Sequence, residues 1–249
     1  MANWSDPRVG AAGFGAAAPG TRDAAYDAGL RSYMLSVYNR MTSGVLLTGI
    51  VAMLFASGGA QSPAAQILVG GGPLAWIIML APLGFVMAMS FGANRMKTST
   101  MSMLFWVFAV VMGLSLSTIF LQYTGTSIAG AFFSTAAAFA GLSLYGYTTK
   151  RDLAPFGTFL IMGVVGLLVA SLINLFLQSG VMSLVISAIG VLLFAGLTAY
   201  DTQKIKSIYF EVQGTEMAGK TAILGALNLY LDFINMFLFI LRLFGSSRD

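Results

Sequence analysis

Seven long apolar runs constrain the fold of this chain more than any other feature of its sequence. Each contains about 17 or more residues, enough to cross a hydrocarbon core about 30 Å thick as an α-helix that rises ~1.5 Å per residue. Hydrophobic residues make up 57% of the 249 residues and charged residues only 9%, which excludes an ordinary soluble domain. The sequence therefore predicts an all-α integral membrane protein. We place its seven transmembrane helices at 41–57, 74–93, 101–123, 126–147, 155–178, 181–208 and 222–244.

The chain is expected to have three parts. Residues 1–35 are rich in Gly and Ala and carry scattered charges of both signs, which predicts a mobile cytoplasmic N-terminal tail. Residues 36–245 would form the seven-helix transmembrane domain, and 246–249 a short C-terminal tail. Aromatic and apolar residues recur at helical spacing in 24–40, so this stretch is either a helix that lies along the membrane interface or a plain linker.

Basic residues mark one side of the predicted bundle. The connections at 58–73, 124–125 and 179–180 carry no charge, whereas the segments before the odd-numbered helices are basic. These segments contain Arg8, Arg22, Arg31, Arg40, Arg95, Lys97, Lys150, Arg151, Lys204, Lys206 and Lys220. By the positive-inside rule the N-terminus is cytoplasmic. Seven full spans would put Arg242 and Arg248 outside, so a re-entrant last segment remains an alternative.

The chain contains no cysteine and no histidine. Disulfides, thiolate metal sites, Ser-His-Asp triads and HExxH zinc sites are therefore excluded, and we expect no enzyme and no tightly bound cofactor. The net charge of +4 is loop charge that sets orientation, and it does not indicate nucleic-acid binding. Without histidine, a response to pH near neutrality would have to come from carboxylates.

Asp201 and Asp232 are the only carboxylates in or beside a strongly apolar run. An ionisable group in a span costs at least ~2.5–3.5 kcal/mol on insertion scales, so each needs a partner, water or a proton. If the sixth helix continues to Phe210, both aspartates lie roughly 12–15 Å from the same end of adjacent antiparallel helices. We expect them to share a proton and to titrate in two coupled steps. The alternatives are a structural hydrogen-bonded pair, or an Asp201 that faces cytoplasmic water.

Other polar residues could complete the site. Asn174, Tyr200, Tyr230 and Asn235 are candidates to line a polar cavity with the aspartates, although each could be a plain interhelical hydrogen bonder. Arg95 ends the second span, where it could pair with an aspartate or serve as an interfacial anchor.

Small residues mark expected helix contacts. Ala137 and Gly141 stand four residues apart in the fourth span, and Gly163 and Gly166 lie close together in the fifth. Small residues let transmembrane helices approach closely, so these positions are expected to be packing surfaces.

Three motifs resemble the Bax inhibitor-1 family, also called transmembrane Bax inhibitor motif proteins. They are DAGLRSYMLSVYNRM at 27–41, GLTAYDTQKIK at 196–206 and LYLDFINMFLFILRLFG at 229–245. The resemblance covers essentially all of 24–245, and the Ala/Gly-rich tail is similar to the bacterial branch. It implies six helices around a hydrophobic C-terminal one, and a pH-sensitive calcium leak across a bacterial inner membrane.

In that resemblance, Asp201 and Asp232 match the pH-sensing aspartate dyad. Arg95 matches an arginine that latches one aspartate when the pore opens and releases it when the two share a proton. The aspartates would also bind passing Ca²⁺ weakly and transiently, because two carboxylates supply few of the oxygen ligands that this ion takes. Ca²⁺, protons and the lipid bilayer are thus the expected partners.

Two other functions compete with a leak. Bacterial members of the family are similar to a modulator of a membrane-anchored AAA protease, for which the tail would be the handle, and deleting residues 1–25 would separate the two roles. An intramembrane aspartyl protease would also need two coupled aspartates. However, Leu-Asp-Phe at 231–233 replaces the Gly-x-Gly-Asp signature of such proteases, and no Pro-Ala-Leu follows.

Overall fold

A computed structural model describes residues 19–247 of the chain. The helices are α1 (Pro19–Phe55), α2 (Pro73–Gly92), α3 (Thr98–Leu116), α4 (Thr118–Gln122), α5 (Gly125–Thr148), α6 (Ala154–Leu177), α7 (Gly180–Val212) and α8 (Met217–Phe244). A 3₁₀ turn at Gly59–Gln61 and a π-helical turn at Ala65–Val69 join α1 to α2. Seven of the segments within this described range are long and apolar enough to cross a membrane, as the sequence predicts.

The first span begins earlier than expected. Instead of an interfacial segment or a linker, the stretch before residue 41 is part of α1, and Leu30, Tyr33, Met34 and Val37 form a buried stripe at i, i+3, i+4 and i+7. Polar residues on the opposite face of this stretch lower its mean hydropathy, which explains the misplaced boundary. The packed domain thus includes residues before 36, and the mobile tail expected for 1–18 lies outside the described residues.

The other spans lie close to their predicted positions. One crossing is divided into α3 and α4, because the helix is interrupted at Ser117, whose hydroxyl donates to the carbonyl of Leu114. The last crossing is complete: α8 has 28 residues, or ~42 Å, and a short bridge joins Tyr123 to Ser247 beyond its end. A re-entrant last segment is therefore not formed.

The two ends of the bundle differ in charge. The start of α1, the α2–α3 and α5–α6 connections, the last turns of α7 and the first turn of α8 lie together and carry most of the basic residues; we call this the basic end. Its elements are tied by the Tyr33 hydroxyl, which donates to Thr221, and by Gln203, which accepts from the backbone of Leu153. Arg40, expected in the segment before the first span, instead lies within α1.

The core of the bundle lies along α8. Two thirds of its most apolar window is buried, against a third or less for every other span. It packs on α7, α1, α5 and α3, whereas α6 packs chiefly on α7 at the periphery. The expectation that all six other spans surround α8 is therefore not confirmed in full, because α6 packs on α7 instead.

Only some of the expected small-residue contacts form. Gly163 faces the side chain of Leu193, but Ala137 and Gly141 are exposed and Gly166 has no neighbour within 4 Å of an added Cβ. The close approach in α5 occurs at Gly146 instead, where an added Cβ would lie 3.0 Å from the Ala199 Cα of α7. Four-residue spacing thus identified small residues, but not the face of the helix that packs.

Candidate functional site: the aspartate pair of α7 and α8

Helices α7 and α8 run antiparallel in a register set by two glycines. A Cβ placed on Gly190 would lie 2.6 Å from the ring of Phe239, and one on Gly225 would lie 3.1 Å from the side chain of Ile205. The facing pairs are thus 190 with 239 and 205 with 225. In antiparallel helices the two residue numbers of every facing pair have the same sum, which here is about 430. Asp232 therefore lies opposite residue 198 and Asp201 opposite residue 229, so the two aspartates differ in height by three residues, or ~4.5 Å.

Asp232 is the most deeply buried acidic side chain of the described chain. It is 4% exposed, and among the side chains described, those of residues 28–247, its Oδ2 is the buried polar atom that has no hydrogen-bond partner. An ionised carboxylate without a partner in an apolar interior carries a large desolvation cost. A proton, a cation or water must therefore satisfy this group.

Asp201 is half-buried at the α7 side of the same contact. Lys204 lies three residues further along α7 and so on the same side of this helix as Asp201. Among residues 28–247, whose side chains the structure describes, no three acidic side chains come together as a metal-binding group, so the two aspartates form a pair without a third carboxylate. The register of α7 against α8 thus puts the two aspartates that the sequence singled out within about one helical turn of each other. Asp232 is the more deeply buried of the two, and Asp201 lies nearer the basic end.

A chain of hydroxyl groups borders the pair on the α5 side. The Tyr38 hydroxyl of α1 lies 2.6 Å from Ser143 Oγ of α5, which lies 2.9 Å from Thr202 Oγ1 of α7. Thr202 directly follows Asp201 in the chain. The hydrogen bonds therefore tie three helices together at the level of the pair, although the sequence analysis did not single out these hydroxyls.

Tyr230 lies on the other face of α8, away from the pair. Its hydroxyl lies 2.7 Å from Thr48 Oγ1 of α1, and Thr48 donates to the carbonyl of Ala109 in α3. Because the single hydrogen of Thr48 is used in that bond, Tyr230 must be the donor to Thr48. The rings of Phe105 and Phe108 pack edge-on against Tyr230, so this side chain fixes α8 against α1 and α3.

Replacing Tyr230 with phenylalanine is expected to lower the free energy of unfolding by about 1 kcal/mol, because a fully buried hydrogen bond is lost. Thermal unfolding in detergent measures the change. Tyr145→Phe is the matched control, since Tyr145 is 46% exposed and its loss of a hydroxyl should leave stability unchanged. Equal melting temperatures for Tyr230→Phe and native protein would contradict the assignment.

The other expected cavity residues do not converge on the pair. The ring of Tyr200 lies against Gly157 of α6, and the Asn235 amide donates to the carbonyl of Leu231 in its own helix. Asn174 accepts from the backbone of Ser179 and closes the far end of α6. Of these four candidates, the structure shows Tyr230 as the interhelical hydrogen bonder that the sequence analysis kept as an alternative, whereas Asn235 bonds within α8, Asn174 bonds the α6–α7 connection and Tyr200 packs on α6.

Arg95 is separate from the aspartates. It lies exposed in the α2–α3 connection at the basic end, where its backbone nitrogen donates to Gly92. In the described chain its side chain takes no part in satisfying the unpaired Oδ2 of Asp232. The two roles considered for it from the sequence, an interfacial anchor and a partner of an aspartate, therefore both stay predictions.

Comparison with known proteins identifies relatives along almost the whole chain. The model of the family described as "Inhibitor of apoptosis-promoting Bax1" matches residues 30–249. An uncharacterized protein of Rickettsia prowazekii (strain Madrid E) is 46% identical over 229 residues, which are 92% of this chain and 95% of that protein. A protein of Escherichia coli (strain K12) called inner membrane protein YbhL is 44% identical over 223 residues, covering 89% and 94%.

Proposed function

This chain belongs to the Bax inhibitor-1 family, and we propose that it is a pH-sensitive calcium leak gated by Asp201 and Asp232. The observation that carries this proposal is the buried Oδ2 of Asp232, which has no hydrogen-bond partner in the described part of the chain. A purely structural aspartate would be expected to have its hydrogen bonds satisfied. An acidic group left open to a proton or a cation suits a site where these two ligands compete.

Gating follows from the charge of the pair. With one shared proton the two carboxylates carry a single negative charge and do not repel each other strongly. The helices that carry them then stay packed as in this structure. Loss of that proton leaves two like charges in an apolar interior, which favours separation of α7 from α8 and attracts a divalent cation. Leak should therefore rise with pH.

Membrane location and orientation are part of the proposal. The name of the Escherichia coli relative supports a bacterial inner membrane. The positive-inside rule supports a cytoplasmic basic end, with the N-terminus in the cytoplasm and the C-terminus on the other side. Proton changes in the cytoplasm would then reach the pair through its nearer end.

Purified protein in liposomes tests the leak directly. Ca²⁺ entry, followed with a trapped fluorescent indicator, should exceed that of protein-free liposomes at pH 8 and run down an imposed gradient without ATP. Native protein that is folded and inserted but adds no Ca²⁺ entry at any pH would refute the leak.

Arg95 is proposed to hold one aspartate only in the open state. Replacing it with glutamine should lower Ca²⁺ entry at pH 8 several-fold, because the open state loses a charge-assisted partner, and should leave entry at pH 6 unchanged. Lys97→Gln is the control, since it removes a cation from the same connection. A matching loss in both variants would mean that Arg95 contributes only loop charge.

Regulation of a membrane-anchored AAA protease, without transport, is the competing function. Deletion of residues 1–18 keeps all of α1 as described from Pro19 onward, whereas a deletion of 1–25 would remove its first seven residues. A leak should keep its full rate after this deletion. If instead the tail is required for a cellular phenotype and purified protein shows no flux, the protease role is favoured.

A further inference from the structure

An apolar crevice lies between α1 and α5 along the side of the bundle, and the hydrogen bond between Tyr38 and Ser143 bridges it near the basic end. In the described range these two helices are not among the closely packed pairs, although both contact α7 and α8. The crevice consists of three adjoining cavities of about 540, 360 and 480 Å³. The first two share Phe139 and Ala140, and the last two share Val45 and Phe132, so the three cavities follow one another along the same side of the bundle.

The crevice is about as long as a bilayer core is thick. It follows α1 from Arg31 to Met53, a distance of ~33 Å along the helix axis, compared with roughly 30 Å for the hydrocarbon region. Its floor includes Phe233, the residue after Asp232, against which the Phe139 ring packs at 5.7 Å. A long apolar surface of this depth faces the acyl chains of the membrane.

Among the described lining residues, charge occurs at one mouth of the crevice. Arg31 lines the cavity at the basic end and is exposed, and the Tyr38 and Ser143 hydroxyls lie on the same cavity. Lys206 lies beside this mouth, where its Nζ donates at 2.9 Å to the carbonyl of Tyr147, another lining residue. None of the described residues that line the three cavities is acidic.

We propose that the crevice between α1 and α5 binds one anionic phospholipid from the leaflet at the basic end. Its phosphate lies against Arg31, and one acyl chain lies along Phe139 and Ala140. Charge complementarity selects this ligand, because cations at one mouth and apolar walls beyond it match an anionic headgroup with its chain, and basic pockets between transmembrane helices bind such headgroups.

Native mass spectrometry of protein released from vesicles of equal parts phosphatidylglycerol and phosphatidylcholine tests the site. Native protein should retain one phosphatidylglycerol per chain in preference to phosphatidylcholine. Arg31→Gln should reduce that preference roughly fivefold, since a basic residue near the surface contributes about 1 kcal/mol to anionic lipid binding. Lys150→Gln, which removes an exposed cation of the same end outside these cavities, should retain the native preference.

A second variant separates the acyl site from the headgroup site. Ala140 is exposed in the crevice, so Ala140→Leu fills the path without entering the core and should abolish retention of both lipids. Retention equal to native in Arg31→Gln and Ala140→Leu would overturn the proposal. So would release of a lipid-free dimer, because a second copy would then cover the crevice. Ca²⁺ flux is not needed for this measurement.

Discussion

Replacing Asp232 with asparagine is expected to remove the pH dependence of Ca²⁺ entry. In native protein the rate should rise roughly tenfold or more between pH 6 and pH 8, because a single-proton equilibrium changes tenfold per pH unit away from its midpoint. Asparagine keeps the shape of the side chain but cannot ionise, so Asp201 loses the like charge with which it shares a proton. The ratio of the rates at the two pH values should then fall to about one.

Asp201→Asn should give the same result, because the pair titrates as a unit. Asp152→Asn is the matched control: Asp152 is exposed at the basic end, and its Oδ1 accepts from the backbone of Ala154, a bond that asparagine can keep. Its pH ratio should equal that of native protein. A native pH ratio in Asp232→Asn, or a native rate that falls as pH rises, would refute the gating mechanism while leaving the leak itself intact.

The helices and the aspartate pair could be predicted because they depend on local signals. A run of apolar residues needs no partner to specify a membrane span, and a carboxylate inside such a run stands out by its insertion cost. Counting residues from the helix ends predicts that Asp201 and Asp232 lie at similar depths. The register of α7 against α8 agrees with this prediction to within about one turn of helix.

The start of α1 could not be found in that way, because it depends on packing. Residues 28–40 are too polar on average to read as a span, but their buried face contacts α7 and α8, where Tyr33 meets Thr221 and Tyr209. The sequence shows the helical stripe of apolar residues, but it does not show the surface of α7 and α8 against which that stripe packs. The hydroxyls of Tyr38, Ser143 and Thr202 were missed for the same reason, since isolated hydroxyls in apolar helices are common and only their meeting distinguishes them.

Tyr230 illustrates a different error. It lies two residues before Asp232, and this closeness in sequence suggested a common cavity. An α-helix turns 100° per residue, however, and a residue two positions away points to nearly the opposite side. Tyr230 consequently packs on α1 and α3, whereas Asp232 faces α7.

Replacing Gly146 with leucine is expected to destabilise the protein by about 3 kcal/mol or more, the upper range for overpacking. The close neighbour of Gly146 is the backbone of Ala199, which cannot rotate away as a side chain could. Helix α5 would have to separate from α7 two residues from Asp201, and the nearby hydrogen bond between Ser143 and Thr202 would break. Thermal unfolding and the yield of monodisperse protein measure the loss.

Gly141→Leu is the matched control for this prediction. It makes the same change five residues earlier in α5, but Gly141 is exposed and nothing lies within 4 Å of its added Cβ. Leucine on a lipid-facing surface is favourable by about 0.3–0.6 kcal/mol on insertion scales, so stability should be unchanged or slightly higher. If Gly141→Leu lowered stability as much as Gly146→Leu, the loss would come from placing leucine in α5 at all. The close contact between Gly146 and α7 would then not be the cause of the destabilisation.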